Sequence, residues 1–392
     1  MQESAVDARN RELIFRGIGP FPDRNPERPS LGALSGLELV SADSHICLGG
    51  SDFWYENAPP HLKERVPRVR YDSERGHWDT YLDGKSFYPP GAEKLARSME
   101  ARRGGWDMEA RIADLDGEDI AKEVAFPQNL MRLVHLKDYE AREFIFREYN
   151  RYLGSLQRRA PGRFYGVGVL ANYWEPERAR EVVLDAAALG LKAMMLPCNP
   201  GLYPDGKKIY YSTRRFKPLW DALEEADMAL CFHISEGMIY GGGGALAITV
   251  ISSVAGLDFP QIWSELVFGR VFDNHPALRV AFVEAGIHWV PGLLQNAELV
   301  LESYAPLLDY VPKMSPRDYW AKHCAATFMH DPVGLRQLDE IGVDNVMWSV
   351  DYPHSEGTFG YTGKAIDYIL QNVNATEARK ILSENAIRFF RL

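Results

Sequence analysis

Asp43 and His45 stand two positions apart in SADSHI, at the end of the apolar run LELVSADSHI and just before a Gly-Gly pair at 49–50. Successive side chains of a strand point to opposite faces, so positions i and i+2 share one. His233 in FHISEG, Glu284 in VEAG and Asp351 in SVDYPHSEG also fall at the ends of apolar runs. Imidazole nitrogen and carboxylate oxygen are the donors that suit Zn²⁺, Mn²⁺ or Fe²⁺. Taken singly, an Asp before a turn caps backbone N–H groups, and a lone His at a strand end is an ordinary hydrogen-bonded core residue. Their recurrence at successive run ends is what points to one shared site.

The elements that must position these residues follow from the pattern of apolar runs. Such runs occupy 37–46, 119–126, 163–171, 191–197, 228–234, 278–286, 324–330 and 344–351. Amphipathic stretches at helical spacing, PERAREVVLDAAALG (176–190) and FKPLWDALEEAD (216–227), lie between them. Alternating strands and helices imply parallel pairing. Eight strand candidates predict a (β/α)8 TIM-like barrel, with an open doubly wound sheet as the alternative. The barrel is favoured because the polar residues cluster at the C-terminal ends of the runs, the face on which barrel enzymes build their sites. Residues 1–36 read as an N-terminal arm and 37–392 as the barrel. Insertions at 49–107 and 235–265, after strands 1 and 5, read as lids, the second with GGGG at 241–244 as a hinge.

SADSHI, FHISEG, AFVEAGIHWVP and MWSVDYPHSEG together resemble the amidohydrolase-related metal-dependent hydrolases. That branch of the amidohydrolase superfamily includes aminocarboxymuconate-semialdehyde decarboxylase and related aromatic-acid decarboxylases. The tail KILSENAIRFF is similar to the family's closing helix. The resemblance implies metal ligands at Asp43, His45, His233 and Asp351, with Asp351 also able to act as a base beside a water. Zinc is the first expectation for the ion, with iron or manganese as alternatives.

The chain also departs from that pattern. Relatives with DSH on the first strand often carry Glu three residues after the His, where this chain has Leu48. Glu284 replaces the His that the decarboxylases use after strand 6, which makes it a candidate acid/base, a ligand of a second metal, or a partner of a ligand His. His288 and His354 are further pocket candidates, although a helix-start position for His288 and a loop-shaping role for His354 account for them as well. His330 and Asp331, after strand 7, have less support. Packing is the leading reading for Trp54, Tyr55, Trp78, Tyr81, Phe87 and Tyr88. Arg102, Arg103 and Arg111 are candidates for a substrate carboxylate, against ordinary salt bridges. Cys47 shares the period-two face of His45.

Composition narrows the function. The 392 residues are 46% apolar and 25% charged, as in a soluble globular protein. A net charge of −10 argues against nucleic-acid binding. The sequence shows no secretory h-region and no membrane-length apolar run, and its four cysteines lack CxxC spacing, so a cytoplasmic location is expected. No GxGxxG, Walker loop, HExxH or GxSxG elbow is found. The leading expectation is a metal-dependent enzyme that hydrolyses a C–N or C–O bond of a small organic substrate or decarboxylates a small organic acid. An O₂-dependent oxygenase with iron or manganese and a non-catalytic metal-binding subunit are the alternatives. Relatives of this kind associate, so a homo-oligomer, or a hetero-oligomer with a related subunit, is expected.

Overall fold

The computed structural model describes residues 24–48, 52–74, 77–86, 102–128, 130–234, 255–256 and 258–392. Each of the eight apolar runs contains a strand: β1 Leu39–Ser41, β2 Ile120–Pro127, β3 Phe164–Val169, β4 Ala193–Leu196, β5 Ala229–His233, β6 Val280–Val283, β7 Cys324–Phe328 and β8 Val346–Trp348. They pair in parallel in chain order from β1 to β8. A parallel Ser44–Tyr352 bridge, with Ala42 N–H on Trp348 O (3.1 Å) and Asp351 N–H on Asp43 O (3.0 Å), joins the first run to the last. The result is the (β/α)8 barrel rather than an open sheet. Strands covered on both faces must be apolar throughout, and every residue of β4 through β8 is buried.

Helices cover the outside. The predicted amphipathic stretches become helices Pro176–Ala188 and Lys217–Glu225, each with Pro in its first turn, where the missing N–H costs nothing. Asp138 caps the long helix Tyr139–Arg159 by accepting from Ala141 N–H. Among the described residues no helix is long and apolar enough to cross a membrane.

The described part of the arm is not detached from the barrel. Leu31 and Leu34 are buried in the core, and the Arg24 guanidinium donates to Ser355 O (2.6 Å) and Gly357 O (2.9 Å) in the loop after β8. Two leucines in a Pro- and Arg-rich stretch are enough to anchor it. The insertion after β1 has structure of its own: a short helix Phe53–Asn57 and an antiparallel sheet of Arg68–Asp72, His77–Leu82 and Lys85–Ser86. Asp83-Gly84, with φ of 51° and 72°, makes the tight turn of its last hairpin. Trp54 is buried and donates from Nε1 to Ile145 O (3.2 Å), so it packs the insertion against the barrel's own helix. Tyr55 lies under the Arg68 guanidinium, 3.4 Å from the ring centroid. Phe87, Tyr88 and the Gly241–Gly244 stretch fall outside the described residues, as does the Trp78 side chain.

Candidate metal centre

Period-two alternation is not what brings Asp43 and His45 together. Strand β1 ends at Ser41, Asp43 lies in a break, and His45–Ile46 then pairs with Phe126–Pro127 of β2. The Ser41 hydroxyl donates to Asp43 O (2.7 Å) and accepts from Val350 N–H (3.0 Å), so one side chain ties the break to the segment after β8. Both side chains still enter the barrel mouth. His233 is the last residue of β5 and sits beside Val283 of β6, which places Glu284 one step further on. Glu284 and Asp351 adopt left-handed backbone conformations, with φ of 76° and 56°. For residues other than glycine such conformations are costly, and they concentrate at functional sites.

Six buried side chains converge. One set of four donor atoms comes from Asp43, His45, His233 and Glu284, and a second from His45, Glu284, Asp351 and His354. Glu284 Oε2 is 2.8 Å from His233 Nε2 and 3.7 Å from His45 Nε2. Asp43 Oδ1 is 3.6 Å from His233 Nε2, and Asp351 Oδ1 is 3.4 Å from His45 Nε2. The His45 ring stacks on His354 at 4.0 Å and meets His233 edge-on at 4.7 Å. Buried Phe126 packs against His233 from the floor.

The donor chemistry fits a divalent cation. Both oxygens of Asp43, both nitrogens of His45, Nε2 of His233 and Oδ1 of Asp351 are buried without a hydrogen-bond partner. Buried polar atoms are otherwise almost always paired. His233 donates Nδ1–H to Ile234 O (2.9 Å), which turns Nε2 toward the carboxylates. Burial pushes the Asp43 carboxyl up to about 6 and that of Asp351 well above the usual range. Glu284 is held well below that range because His233 and its other imidazole neighbours outweigh its burial. Three buried carboxylates this close together thus resist simultaneous ionisation unless positive charge is supplied.

Further residues hold this set in place. The Glu284 N–H donates to Thr327 Oγ1 (2.8 Å), and Cys198 Sγ–H donates to His233 O (2.9 Å). His354 donates Nε2–H to Gln128 Oε1 (2.8 Å). Gln128 and Thr327 were not among the sequence candidates, although Gln128 directly follows a strand, the rule that singled out the others.

Other candidates lie elsewhere. His288 is half-exposed and pairs through Nδ1 with Asp331 Oδ2 (3.0 Å), which also accepts from Ile287 and His288 N–H. Asp331 caps the short helix Pro332–Leu335, so the pair fixes a loop. His330 packs against the Tyr368 ring. Arg111 is fully buried against Glu123 and Arg102 pairs with Asp114, so these two guanidiniums are committed to internal carboxylates, while the exposed Arg103 pairs with Asp107 at the surface. Cys47 is buried and belongs to neither donor set.

Solved structures share this fold at low sequence identity. An amidohydrolase of Mycobacterium avium subsp. paratuberculosis K-10 superposes with a TM-score of 0.73 at 20% identity, over 91% of this chain and 98% of its own. The 5-carboxyvanillate decarboxylase of Novosphingobium aromaticivorans, solved with bound manganese, gives 0.68 at 18% identity over 93% and 100%. The 2,6-dihydroxybenzoate decarboxylase of Rhizobium gives 0.62 at 16% identity over 90% and 98%. No curated protein matches the sequence significantly. The amidohydrolase family model matches residues 54–392, beginning after Asp43 and His45, so those two are placed by the barrel rather than by the match. Over that span the chain carries the family's pattern, and it belongs to the amidohydrolase family.

Proposed function

We propose that the chain is a metal-dependent hydrolase that cleaves a C–N or C–O bond of a small organic substrate at the barrel mouth. The observation that carries this reading is the buried set of unpartnered donors from Asp43, His45, His233 and Asp351, with the Glu284 carboxylate beside them. A divalent ion held there, zinc or manganese, polarises a carbonyl and acidifies water.

The chain's own residues supply the proton handling. Asp351 Oδ1, free of hydrogen bonds, accepts the proton of the attacking water as the new C–O bond forms. Burial raises its basicity, which suits a base that must release the proton again. It then gives that proton to the leaving nitrogen or oxygen as the substrate bond breaks.

Decarboxylation is the second reading, favoured by the structural neighbours named for that reaction on aromatic acids. There the C–C bond breaks, CO₂ leaves, and the electron pair left on carbon takes the proton from Asp351.

The test is a screen of amides, lactones and aromatic acids with metal-loaded protein, following amine or acid release and CO₂. Turnover that disappears on chelation and returns with the ion supports the reading. Undiminished turnover in metal-stripped protein overturns it.

A further inference from the structure

The segments that follow β2 and β4, on the barrel face that carries the metal-centre candidates, enclose a cleft of about 390 Å³. That is the size of a small-molecule site. Leu136, Pro200, Leu202 and Tyr203 form its apolar wall, and Arg142 and Lys137 supply positive charge. Among the described residues no Asp or Glu lines it, in a chain whose net charge is −10. The carboxylates nearest in sequence are engaged elsewhere. Asp138 and Glu140 pair with Arg65 (2.6 and 2.9 Å), Glu143 with Arg147 (2.7 Å) and Asp205 with Lys207 (3.1 Å). Lys137 is exposed and makes no ion pair among the described residues.

Arg142 is the unusual member. It is buried on the helix Tyr139–Arg159, against the rings of Tyr139 and Trp174, 4.9 and 4.6 Å from their centroids. Its Nε and Nη2 donate to Asn172 Oδ1 (3.0 and 2.5 Å), and Nη1 donates to Val134 O. Among the described residues no carboxylate forms an ion pair with it. Asn172 passes its own NH₂ to Glu143 Oε2 (2.9 Å), which keeps the acid one residue away. A guanidinium carries five N–H groups, so these bonds leave one N–H on each terminal nitrogen. Arg111 is the internal comparison, since it is also buried but has Glu123 on both prongs. Burial lowers the Arg142 guanidinium, whereas at Arg111 Glu123 outweighs burial and raises it. A buried charge with no opposite charge beside it is costly, and an anion in the cleft supplies one.

We propose that this cleft is a binding site for a small organic carboxylate, held by Arg142 and Lys137 with its hydrocarbon body on Leu136, Leu202 and Tyr203. A forked guanidinium suits the two oxygens of a carboxylate. The apolar wall favours an organic acid over inorganic phosphate. Leu202 is 60% exposed, and such a body covers it. The site shares no residue with the candidate metal centre and does not rest on the metal-dependent reading.

The experiment is isothermal titration of the full chain with benzoate, and with benzamide as its uncharged counterpart, before and after chelation of metal. Benzoate should bind equally in both states, and benzamide should not bind. Lys137→Glu and Leu202→Asp, both surface changes, should each weaken benzoate by about tenfold or more, the scale of one charged contact. Arg142→Met, checked for fold by circular dichroism, should abolish binding. Benzoate binding that requires the metal, that benzamide equals, or that neither surface variant changes would overturn the site. So would no binding of benzoate at all. Inorganic phosphate bound as tightly as benzoate would overturn the assignment to an organic acid.

Discussion

Arg111 and Glu123 form a two-pronged ion pair with no solvent exposure, at 2.5 and 2.7 Å, and the same guanidinium donates to the backbone carbonyl of His45 at 2.8 Å. The pair fixes the strand fragment that carries a proposed ligand. Removing one partner of a buried pair leaves an uncompensated charge, at a cost of roughly 3–5 kcal/mol. Arg111→Met should therefore lower stability by about that amount in chemical denaturation. Arg111→Met combined with Glu123→Leu should recover a good part of it. A single variant as stable as the parent would show that the pair does not hold the fold.

The candidate ligands Asp43 and His233 make a cleaner separation between metal and fold. Asp43→Ala removes a carboxyl whose two oxygens have no hydrogen-bond partner, and His233→Ala an imidazole held only through Nδ1 to Ile234 O, so the barrel should persist. Bound metal should fall sharply in elemental analysis while far-ultraviolet circular dichroism is unchanged. Full metal content in both variants would mean that the clamp has been assigned to the wrong residues.

Much of this was legible in the sequence. All eight strands fall within apolar runs because strands buried on both faces leave little else to encode. Asp43, His45, His233, Glu284 and Asp351 were visible because they end those runs. His354 was harder to place. Its ring direction is set by the turn Asp351–His354, where His354 N–H bonds Asp351 O at 2.9 Å, and no strand or helix period reports that. The small sheet after β1 is not marked by an apolar run although Asp83-Gly84 is a hairpin signal, because RVRYD and HWDTYL mix charged with apolar residues. The contact of Gln128 with His354 joins residues 226 positions apart, which only the closed barrel brings together.

Gln128 should act through His354 rather than on substrate. His354 hydrogen-bonds Asp351 through Nδ1 (3.1 Å), and outer partners of metal ligands are worth about 10–100-fold in metal affinity. Gln128→Ala should weaken Mn²⁺ binding within that range with the fold intact. Gln128→Glu, which keeps an acceptor oxygen, should restore most of it. Equal affinities in the parent and both variants, measured by competition with a chelator, would remove Gln128 from the site.

Glu118 predicts a pH dependence remote from the metal centre. Burial raises its carboxyl from 4.5 to about 7, against hydrogen bonds from Thr362 Oγ1 and Gly360 N–H and the charge of Arg102. The folded protein then binds a proton that the unfolded chain has released between these values. That contribution to stability is full below about pH 4.5 and is lost as the pH rises through about 7. Glu118→Gln, with its amide oxygen on Gly360 N–H and its NH₂ toward Thr362, removes the titration. The stability gap between variant and parent should widen in the variant's favour by roughly 2–3 kcal/mol over that range. A gap that does not change with pH would assign Glu118 an ordinary carboxyl.

The left-handed backbone at Glu284 gives a prediction that separates strain from ligation. At φ of 76° a Cβ is unfavourable, and glycine relieves it. Glu284→Ala and Glu284→Gly both delete the carboxylate, so their difference isolates the backbone. In metal-stripped protein Glu284→Gly should be the more stable by about 1 kcal/mol. A glutamate that is both buried beside two other carboxylates and in the left-handed region is a poor choice for folding alone, which points to function at this position. If the alanine variant were as stable as the glycine variant, the backbone would carry no strain, and the argument from conformation to function at this residue would fall.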